Sequence, residues 1–273
     1  MKRLFFAQCL ENICHLCSMI QLHIENRIAF LTLNRPEKRN ALNDEMAAAI
    51  YRTLMDLKEN PDCKVLVIQA LGDAFCAGAD LGYLQKLQNN TFEENLADST
   101  ALMQMFKAVY EFPKITIAKV EGPALAGGCG LAGLCDFVFA TPESSFGYTE
   151  VKIGFIPAIV SVFLGPKIGE NAAKAMLFTG KIFSASEAKE MGIVYQLSDG
   201  MSIGQHVLDF ASQLVKGVSQ QSVFLTKKLL IEMKGKSLDE QLQMAARANA
   251  EARSTEDCKK GISAFLNKEK LSW

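Results

Sequence analysis

Several features that define special classes of protein are missing from this chain. It has no apolar run of the roughly 18 residues needed to span a bilayer. Neither G-x-S-x-G nor G-x-x-x-x-G-K-[ST] occurs, which argues against α/β-hydrolases and P-loop proteins. Positive and negative charges are nearly balanced, with 29 Lys and Arg residues and 30 Asp and Glu residues. We therefore expect neither nucleic acid nor a membrane as a partner.

The cysteines are too few and too scattered for a disulfide scaffold, at eight in 273 residues. Cys76, Cys129 and Cys135 lie in apolar surroundings, which predicts buried, reduced thiols in a cytoplasmic protein. Cys14-His-Leu-Cys17, with Cys9 nearby, is a lone CxxC motif. Because a zinc site needs a second Cys pair or a His pair at fixed spacing, we expect no metal.

The length and composition fit one soluble domain. A chain of 273 residues with 49% hydrophobic and 22% charged residues can bury roughly 75% of its unfolded surface. Residues 1–6 resemble the start of a signal peptide, but polar residues interrupt the apolar region that would follow. Because the regular pattern begins at Met19, we predict that residues 1–18 are a non-essential extension and that 19–273 form a single domain.

Periodicity predicts strand–helix units followed by a helical end, and hence an α/β fold. The expected strands are the hairpin Ile20–Glu25 with Ile28–Leu33, then Val65–Ala70, Ile115–Val120 and Phe137–Ala140. The expected helices are one capped by Asn43 and running to about Glu59, a pair between Leu81 and about Glu111, and one from Ile159. A loop from Ser145 holds Glu150. The segments 164–179, 185–191, 203–216, 219–233, 238–254 and 255–266 are expected to be helical, so a core of about 19–200 precedes a helical part of about 201–273.

The most informative segment of the chain is a glycine-rich stretch, Glu121-Gly-Pro-Ala-Leu-Ala-Gly-Gly-Cys-Gly-Leu-Ala132. Glycines at Gly127, Gly128 and Gly130 are useful where the backbone bends sharply or must be approached closely. A helix that begins here would expose several unpaired N–H groups, which stabilise an anion or an oxyanion. Phe75-Cys-Ala-Gly-Ala-Asp-Leu81 is a second strand-to-helix turn of small residues. The two turns could each donate one N–H to a single oxygen.

These two turns, together with Leu33-Asn-Arg-Pro36 and Asn40-Ala-Leu42, resemble the crotonase superfamily of enoyl-CoA hydratases and isomerases. The resemblance extends from about Ile20 to Trp273, and its details look most like the methylglutaconyl-CoA hydratase branch. It implies a spiral of ββα turns whose C-terminal helices form a homotrimer or a dimer of trimers. It also implies an acyl-CoA thioester as substrate and no further cofactor, because the thioester itself acidifies the α-carbon.

Glu150 is the candidate acid–base residue. Its apolar surroundings, Phe146 to Pro157, would desolvate the carboxylate and raise its pKa toward a value useful for moving protons. The resemblance implies the same catalytic role, and it implies that Ala79 and Gly127 donate the oxyanion-hole N–H groups. The alternative is a surface ion pair of Glu150 with Lys152 or Lys167.

The resemblance also implies coenzyme A contacts. Those around the adenine and pantetheine are Arg39, Ala41, Ala77, Asp80 and Leu81, and the C-terminal ones are Phe265 and Lys268. Solvated surface charge is the alternative for Arg39 and Lys268. We interpret Asp136, which follows the glycine-rich stretch, as a structural turn or cap residue.

Gly130 departs from the pattern, because two-glutamate hydratases carry a second glutamate there. One carboxylate suits a proton shift between carbons, whereas water addition normally needs another group. Hydration of an enoyl-CoA with a carboxylate of its own, Δ3–Δ2 isomerisation, decarboxylation and a non-catalytic role all stay open. A nicotinamide-binding G-x-G-x-x-G at Gly128–Gly133 is disfavoured, because the first glycine should follow a strand directly.

Overall fold

The computed structural model describes residues 19–273, so the predicted extension and its CxxC motif lie outside the described residues. The strands of this part are β1 (Ile20–Glu25), β2 (Ile28–Leu33), β3 (Val65–Ala70), β4 (Ile115–Val120), β5 (Pro123–Leu125), β6 (Phe137–Ala140), β7 (Ser145–Gly147), β8 (Phe183–Ser184) and β9 (Gln196–Leu197). The main sheet has the order β1-β2-β3-β4-β6-β9, and a smaller one has the order β5-β7-β8. The β1–β2 hairpin is antiparallel, and every other pair in the main sheet is parallel.

The helices surround these sheets and then continue beyond them. They are α1 (Asp44–Glu59), α2 (Leu81–Leu87), α3 (Phe92–Tyr110), α4 (Gly127–Leu134), α5 (Ala158–Ile168), α6 (Glu170–Thr179), α7 (Ala185–Glu190), α8 (Ile203–Gly217), α9 (Gln220–Glu232), α10 (Leu238–Ser254) and α11 (Glu256–Leu266). Asn43 caps α1 as predicted, because its side chain accepts a hydrogen bond from the N–H of Met46 at 2.9 Å. The α/β class with a helical C-terminal part is confirmed.

A short strand interposed between a main-sheet strand and a helix gives the fold its spiral. The chain passes from β4 to β5 and then into α4, and from β6 to β7 and then into the 3₁₀ turn Glu150–Ile153. At the first turn, Cys76 forms an isolated parallel bridge with Ala124 before α2 begins. This repeated β–β–α path is the ββα spiral that the resemblance implies, although no sequence repeat marks it.

Both faces of the main sheet are covered. Val65, Leu66, Val67 and Ile68 of β3 are fully buried, which explains why this strand is a continuous apolar run rather than an alternating one. One face packs against a large core that includes residues of α1, α3 and α4. The other face packs against Ile203, Val207, Ala211 and Val215, which follow one another at helical spacing on α8.

The structure corrects several sequence-based expectations. The predicted single segment 164–179 is two helices, because Gly169 takes φ 81° and ψ 158° between α5 and α6. The loop predicted from Ser145 contains β7 and a 3₁₀ turn. The strands β5, β7, β8 and β9 were not predicted, since two or three residues are too few to show a period. Asp136 is structural, but it acts through Lys227 and Thr116 rather than as a cap.

Close approach of the two glycine turns depends on Gly128. A Cβ built on Gly128 would lie 2.3 Å from the carbonyl oxygen of Cys76 and 2.6 Å from its Cβ. The unpredicted strand β5 ends at Leu125, so two residues still separate a strand from Gly128 and the first glycine does not follow a strand directly. In addition, the space beside Gly128 is filled by the carbonyl group and side chain of Cys76, which leaves no room for a dinucleotide there.

We therefore expect Gly128→Ala to lower the free energy of unfolding by about 2–3 kcal/mol, since overpacking forces the backbone to shift. Gly204→Ala is the matched control, because its new Cβ on α8 meets no atom within 4 Å. It should leave stability unchanged or raise it by up to about 1 kcal/mol. Urea denaturation of both variants measures the difference, and equal stabilities would contradict the assigned contact.

Candidate active site

A ladder of backbone hydrogen bonds joins the segments that carry the predicted site residues. Segment 39–42 pairs with segment 76–80 through Ala77 N–H to Arg39 O (3.0 Å), Leu42 N–H to Gly78 O (2.7 Å) and Asp80 N–H to Leu42 O (2.9 Å). On its other side, segment 76–80 pairs with β5. Since β5 in turn pairs with β7, the ladder runs from Arg39 to the chain just before Glu150.

The first predicted donor, Ala79, lies on an exposed part of this ladder. The preceding Gly78 has φ +100°, and a Cβ built there would lie 2.9 Å from the Cβ of Ala126. The turn therefore reaches the start of α4 through a contact that only glycine permits. Within residues 19–273, the N–H of Ala79 donates no hydrogen bond to the backbone or to a side chain.

The second predicted donor, Gly127, is the first residue of α4. The preceding Ala126 has φ 49° and ψ −123°, a costly conformation for a residue with a side chain, and no side chain caps the helix. The N–H of Gly127 likewise has no acceptor among the described residues. Gly78 and Ala126 are in contact. Ala79 and Gly127, whose N–H groups are free within the described residues, are the next residue after each of them. Both predicted oxyanion donors are thus N–H groups without an acceptor in the described part of the chain, on turns that lie side by side.

Glu150 lies three residues after the end of β7 and begins the 3₁₀ turn. Its Oε2 is buried and has no hydrogen-bond partner within residues 19–273. Burial raises the pKa of this carboxyl above its ordinary value. The surface ion-pair interpretation is wrong for Lys167, whose ammonium donates instead to Gly133 O and to Cys135 O at 2.7 Å.

Two buried groups near Glu150, Tyr148 and Cys129, have raised pKa values. Tyr148 is buried beside the Cys129 thiol, and burial raises the pKa of Tyr148 well above its ordinary value. Burial also raises the pKa of Cys129, and separately that of Cys76, to about 12. Both thiols are therefore protonated and inert, as the sequence predicted for the cysteines in apolar surroundings.

Gly130 lies one helical turn after Gly127 and is closed off. A Cβ built on Gly130 would lie 2.4 Å from Cγ1 of Val160 and 3.4 Å from the ring of Phe106. Val160 belongs to α5 and is itself buried. A side chain at position 130 would fit only if the Val160 side chain shifted, and Gly130 itself supplies no second carboxylate.

Five of the predicted coenzyme A contacts come together in the structure. Arg39, Ala41, Ala77, Asp80 and Leu81 lie on the paired segments 39–42 and 76–81. Arg39 and Leu81 are exposed there, whereas both carboxylate oxygens of Asp80 bond within the protein.

The two C-terminal candidates lie apart from that group. Phe265 is 82% exposed on α11, and Lys268 follows in the next turn. The main packing partners of α11 are α9 and α10. No hydrogen bond or ion pair among residues 19–273 joins these two residues to the paired segments.

Three residues at the site were missed by the sequence interpretation. Arg35 forms an ion pair with Asp80 at 2.8 Å, Val160 covers Gly130, and Tyr148 underlies Glu150. Arg35 stands within the Leu33–Pro36 motif, but a contact with a residue 45 positions later leaves no trace in spacing. Val160 and Tyr148 look like ordinary core residues, because their importance is purely spatial.

In the described part of the chain, no group of three or more His, Cys, Asp or Glu side chains is arranged to hold a metal ion. No helix between residues 19 and 273 is long and apolar enough to cross a membrane. What the site offers is two free N–H groups and one desolvated carboxylate, which together can stabilise an enolate and move a proton.

Comparison with known proteins agrees with this chemistry. A family model described as enoyl-CoA hydratase/isomerase matches residues 23–273. A Thermus thermophilus protein named "Putative enoyl-CoA hydratase" is 42% identical over 92% of this chain and 98% of its own length. The "Crotonyl-CoA hydratase" of Syntrophomonas wolfei is 32% identical over 93% and 97%. A crystal structure of an enoyl-CoA hydratase from Shewanella pealeana superposes with a TM-score of 0.89 at 30% identity, covering 93% of this chain and 96% of that one.

Fold and site together define an enzyme of the crotonase superfamily. Within it, this chain belongs to the enoyl-CoA hydratase/isomerase family.

The buried carboxylate makes a prediction about stability. A carboxyl whose pKa is raised in the folded state binds more protons when folded than when unfolded, so stability falls as pH rises from the unfolded pKa, about 4.5, through the folded one. Glu150→Gln should therefore be more stable than the parent protein at pH 7, and this difference should shrink below pH 4.5.

Urea denaturation at pH 4 and pH 7 measures this change. Glu170→Gln is the matched control, because that carboxylate forms an exposed i,i+4 pair with Lys174, and its loss should change stability by no more than about 0.5 kcal/mol. A Glu150→Gln protein that loses stability at pH 7 would show that the carboxylate has a partner in solution.

Proposed function

We propose that this enzyme hydrates a short or branched enoyl-CoA, with 3-methylglutaconyl-CoA as the leading candidate, through a thioester enolate. The single observation that carries the proposal is a buried carboxylate oxygen on Glu150, just after the backbone ladder, which like two N–H groups nearby has no hydrogen-bond partner among residues 19–273. Such a site is costly to fold unless a ligand uses it. A lyase acting on carbon–oxygen bonds is consistent with the hydratase names of the relatives.

In the proposed reaction, the N–H groups of Ala79 and Gly127 bind the thioester oxygen. Glu150 takes a proton from water as the hydroxyl oxygen bonds to the β-carbon, and the double-bond electrons move onto the thioester oxygen. The enolate then collapses as the same carboxyl returns its proton to the α-carbon. Each donor contributes about 3 kcal/mol to stabilisation of this enolate. A substrate that carries its own carboxylate, such as 3-methylglutaconyl-CoA, would help to hold the water.

Isomerisation of a Δ3-enoyl-CoA to the Δ2-enoyl-CoA is the second candidate, and the Gly130–Val160 contact favours it. With position 130 closed, Glu150 is the one acid–base group proposed. One carboxylate suffices to remove the α-proton and deliver it to the γ-carbon, because no water enters the reaction. Decarboxylation is a variant of the same chemistry, in which loss of CO₂ forms the enolate and Glu150 protonates it.

The proposed coenzyme A contacts are Arg39, Ala41, Ala77, Asp80 and Leu81, with Phe265 and Lys268 supplied by the C-terminal part. The exposed Arg39 guanidinium would meet phosphate, and the apolar side chain of Leu81 would cover the pantetheine. Lys268 would act as a point charge near a phosphate. Because Phe265 and Lys268 lie apart from the paired segments within one chain, their contribution would reach the site of a neighbouring subunit.

A homotrimer, or a dimer of trimers, is part of this proposal. Large apolar side chains are exposed on the C-terminal helices, namely Leu230, Leu238, Leu242, Ile262, Phe265 and Leu266. An exposed apolar surface of this kind is typical of a subunit interface. A cytoplasmic location is also proposed, and the free buried thiols Cys63, Cys76, Cys129 and Cys135 support it.

Sedimentation velocity tests the assembly. The wild-type protein should sediment with three or six times the 30.0 kDa chain mass, whereas Leu238→Glu with Leu242→Glu should shift it to smaller species, because charge is costly in an apolar interface. Met201→Glu is the control, since Met201 is fully exposed outside these helices. A wild-type monomer at all concentrations would refute the trimer.

Turnover of three thioesters tests the reaction: crotonyl-CoA, 3-hexenoyl-CoA and 3-methylglutaconyl-CoA. We expect 3-methylglutaconyl-CoA to be hydrated fastest, and Glu150→Gln to lower kcat by about 10²–10⁴-fold, the usual contribution of a general acid–base group. Glu170→Gln should retain full activity, because that residue is exposed on α6.

The preferred thioester decides between the candidates. Turnover of 3-hexenoyl-CoA alone would favour the isomerase over the hydratase. A wild-type protein that binds coenzyme A but turns over none of the three would contradict both, and would leave decarboxylation or a non-catalytic role. Full activity of Glu150→Gln would remove Glu150 from the mechanism.

A further inference from the structure

The turn that carries Ala79 is restrained by residues of the loop that follows β2. Asn40 is fully buried and left-handed, with φ 54°. Its Nδ2 donates to Leu71 O at 2.8 Å and to Ala74 O at 2.9 Å, and its Oδ1 accepts from the N–H of Arg35 at 2.8 Å. This one amide therefore fixes the beginning of the segment that leads to Ala79.

Arg35 fixes the other end of the same segment. Its Nη1 lies 2.8 Å from Oδ2 of Asp80 and donates to Ala41 O at 3.3 Å. Only 17% of the Arg35 side chain and 11% of the Asp80 side chain are exposed, so this ion pair is screened far less than a surface pair. A second contact, Nε to Glu37 at 3.9 Å, is longer and involves an exposed carboxylate.

Asp80 passes this restraint on to the donor. It directly follows Ala79, its N–H donates to Leu42 O, and its Oδ1 accepts from the N–H of Tyr83 as the N-cap of α2. The peptide unit that follows Ala79 is thus held by a strand contact on one side and by an ion pair and a helix cap on the other. Within residues 19–273 the N–H of Ala79 makes no hydrogen bond of its own, so its direction depends on the restraints on the residues beside it.

We propose that Arg35 is a positioning residue of the oxyanion hole, acting through Asp80 to hold the Ala79 N–H on the thioester oxygen. The proposal rests on the proposed function, because it assigns Ala79 as a donor to that oxygen. Its consequence is kinetic. Loss of Arg35 loosens a donor that is needed mainly in the transition state, so kcat falls while substrate binding is largely kept.

Arg35→Met, Asp80→Asn and the double variant test this role. Arg35→Met should lower kcat by about 10–100-fold with less than about a threefold change in KM, which is the scale of effect expected from a misplaced group. Asp80→Asn alone removes the charge but keeps the cap of α2, because Asn is as good an N-cap as Asp. Arg52→Met is the control, since that side chain is exposed on α1 and, within the described part of the chain, bonds only to Ala48 O.

The double variant distinguishes positioning from direct contact with substrate. Arg35→Met leaves the Asp80 carboxylate buried without its partner, so adding Asp80→Asn should recover kcat by about threefold or more relative to Arg35→Met. If Arg35 instead bound a phosphate of coenzyme A, KM would rise, kcat would hold, and the second substitution would rescue nothing. That result would overturn the proposal.

Amide hydrogen exchange provides a readout that does not depend on activity. In Arg35→Met, peptides covering residues 75–84 should exchange at least about fivefold faster, while those of α8 stay unchanged, because only the local restraint is lost. Unchanged exchange in 75–84 would overturn the proposal even in an active enzyme. An inactive wild type in which exchange still responds as expected would refute the proposed function and leave the restraint by Arg35 intact.

Discussion

The site depends on one set of backbone hydrogen bonds, the ladder that pairs segment 39–42, segment 76–80, β5 and β7 side by side. Each of these segments follows a main-sheet strand and pairs in parallel with the segment of the next unit before its own helix or turn begins. Because the pairing is parallel, the ends of successive units lie side by side, and residues far apart in the chain meet there. Gly78 and Gly128 permit the close approach on which this depends, since a Cβ on either would collide with the neighbouring turn.

The chemistry places demands on this framework that stability alone would not. Among residues 19–273, two N–H groups have no acceptor and a carboxylate oxygen is buried without a partner, and Ala126 adopts a costly positive-φ conformation at the start of α4. The surrounding structure outweighs these costs by over-determining the site. Arg35 and Asn40 restrain the first turn, and Lys167 donates to the carbonyl groups at the C-terminal end of α4, where a cation is favourable.

Much of the fold could be predicted from the sequence, because its larger elements have clear local signals. The runs Val65–Ala70 and Ile115–Val120 are apolar and β-branched, and the Asn43 cap marks the start of α1. The short strands could not be predicted, because their pairing is decided by neighbours along the ladder. Among the candidate site residues, Glu150 stood out by its apolar surroundings, but nothing local could show that Val160 closes the space over Gly130 or that Asp80 is engaged by Arg35.

What the sequence by itself determined was local: which segments are strands and helices, where glycine permits a tight turn, and which carboxylate lies among apolar neighbours. These follow from side-chain size, backbone freedom and polarity, which each residue carries with it. Only the tertiary structure decided that the Ala79 and Gly127 turns touch, that Val160 packs against Gly130, and that Arg35 reaches Asp80. Those facts depend on distances between segments tens of residues apart, and such distances are set by the packing of the whole chain.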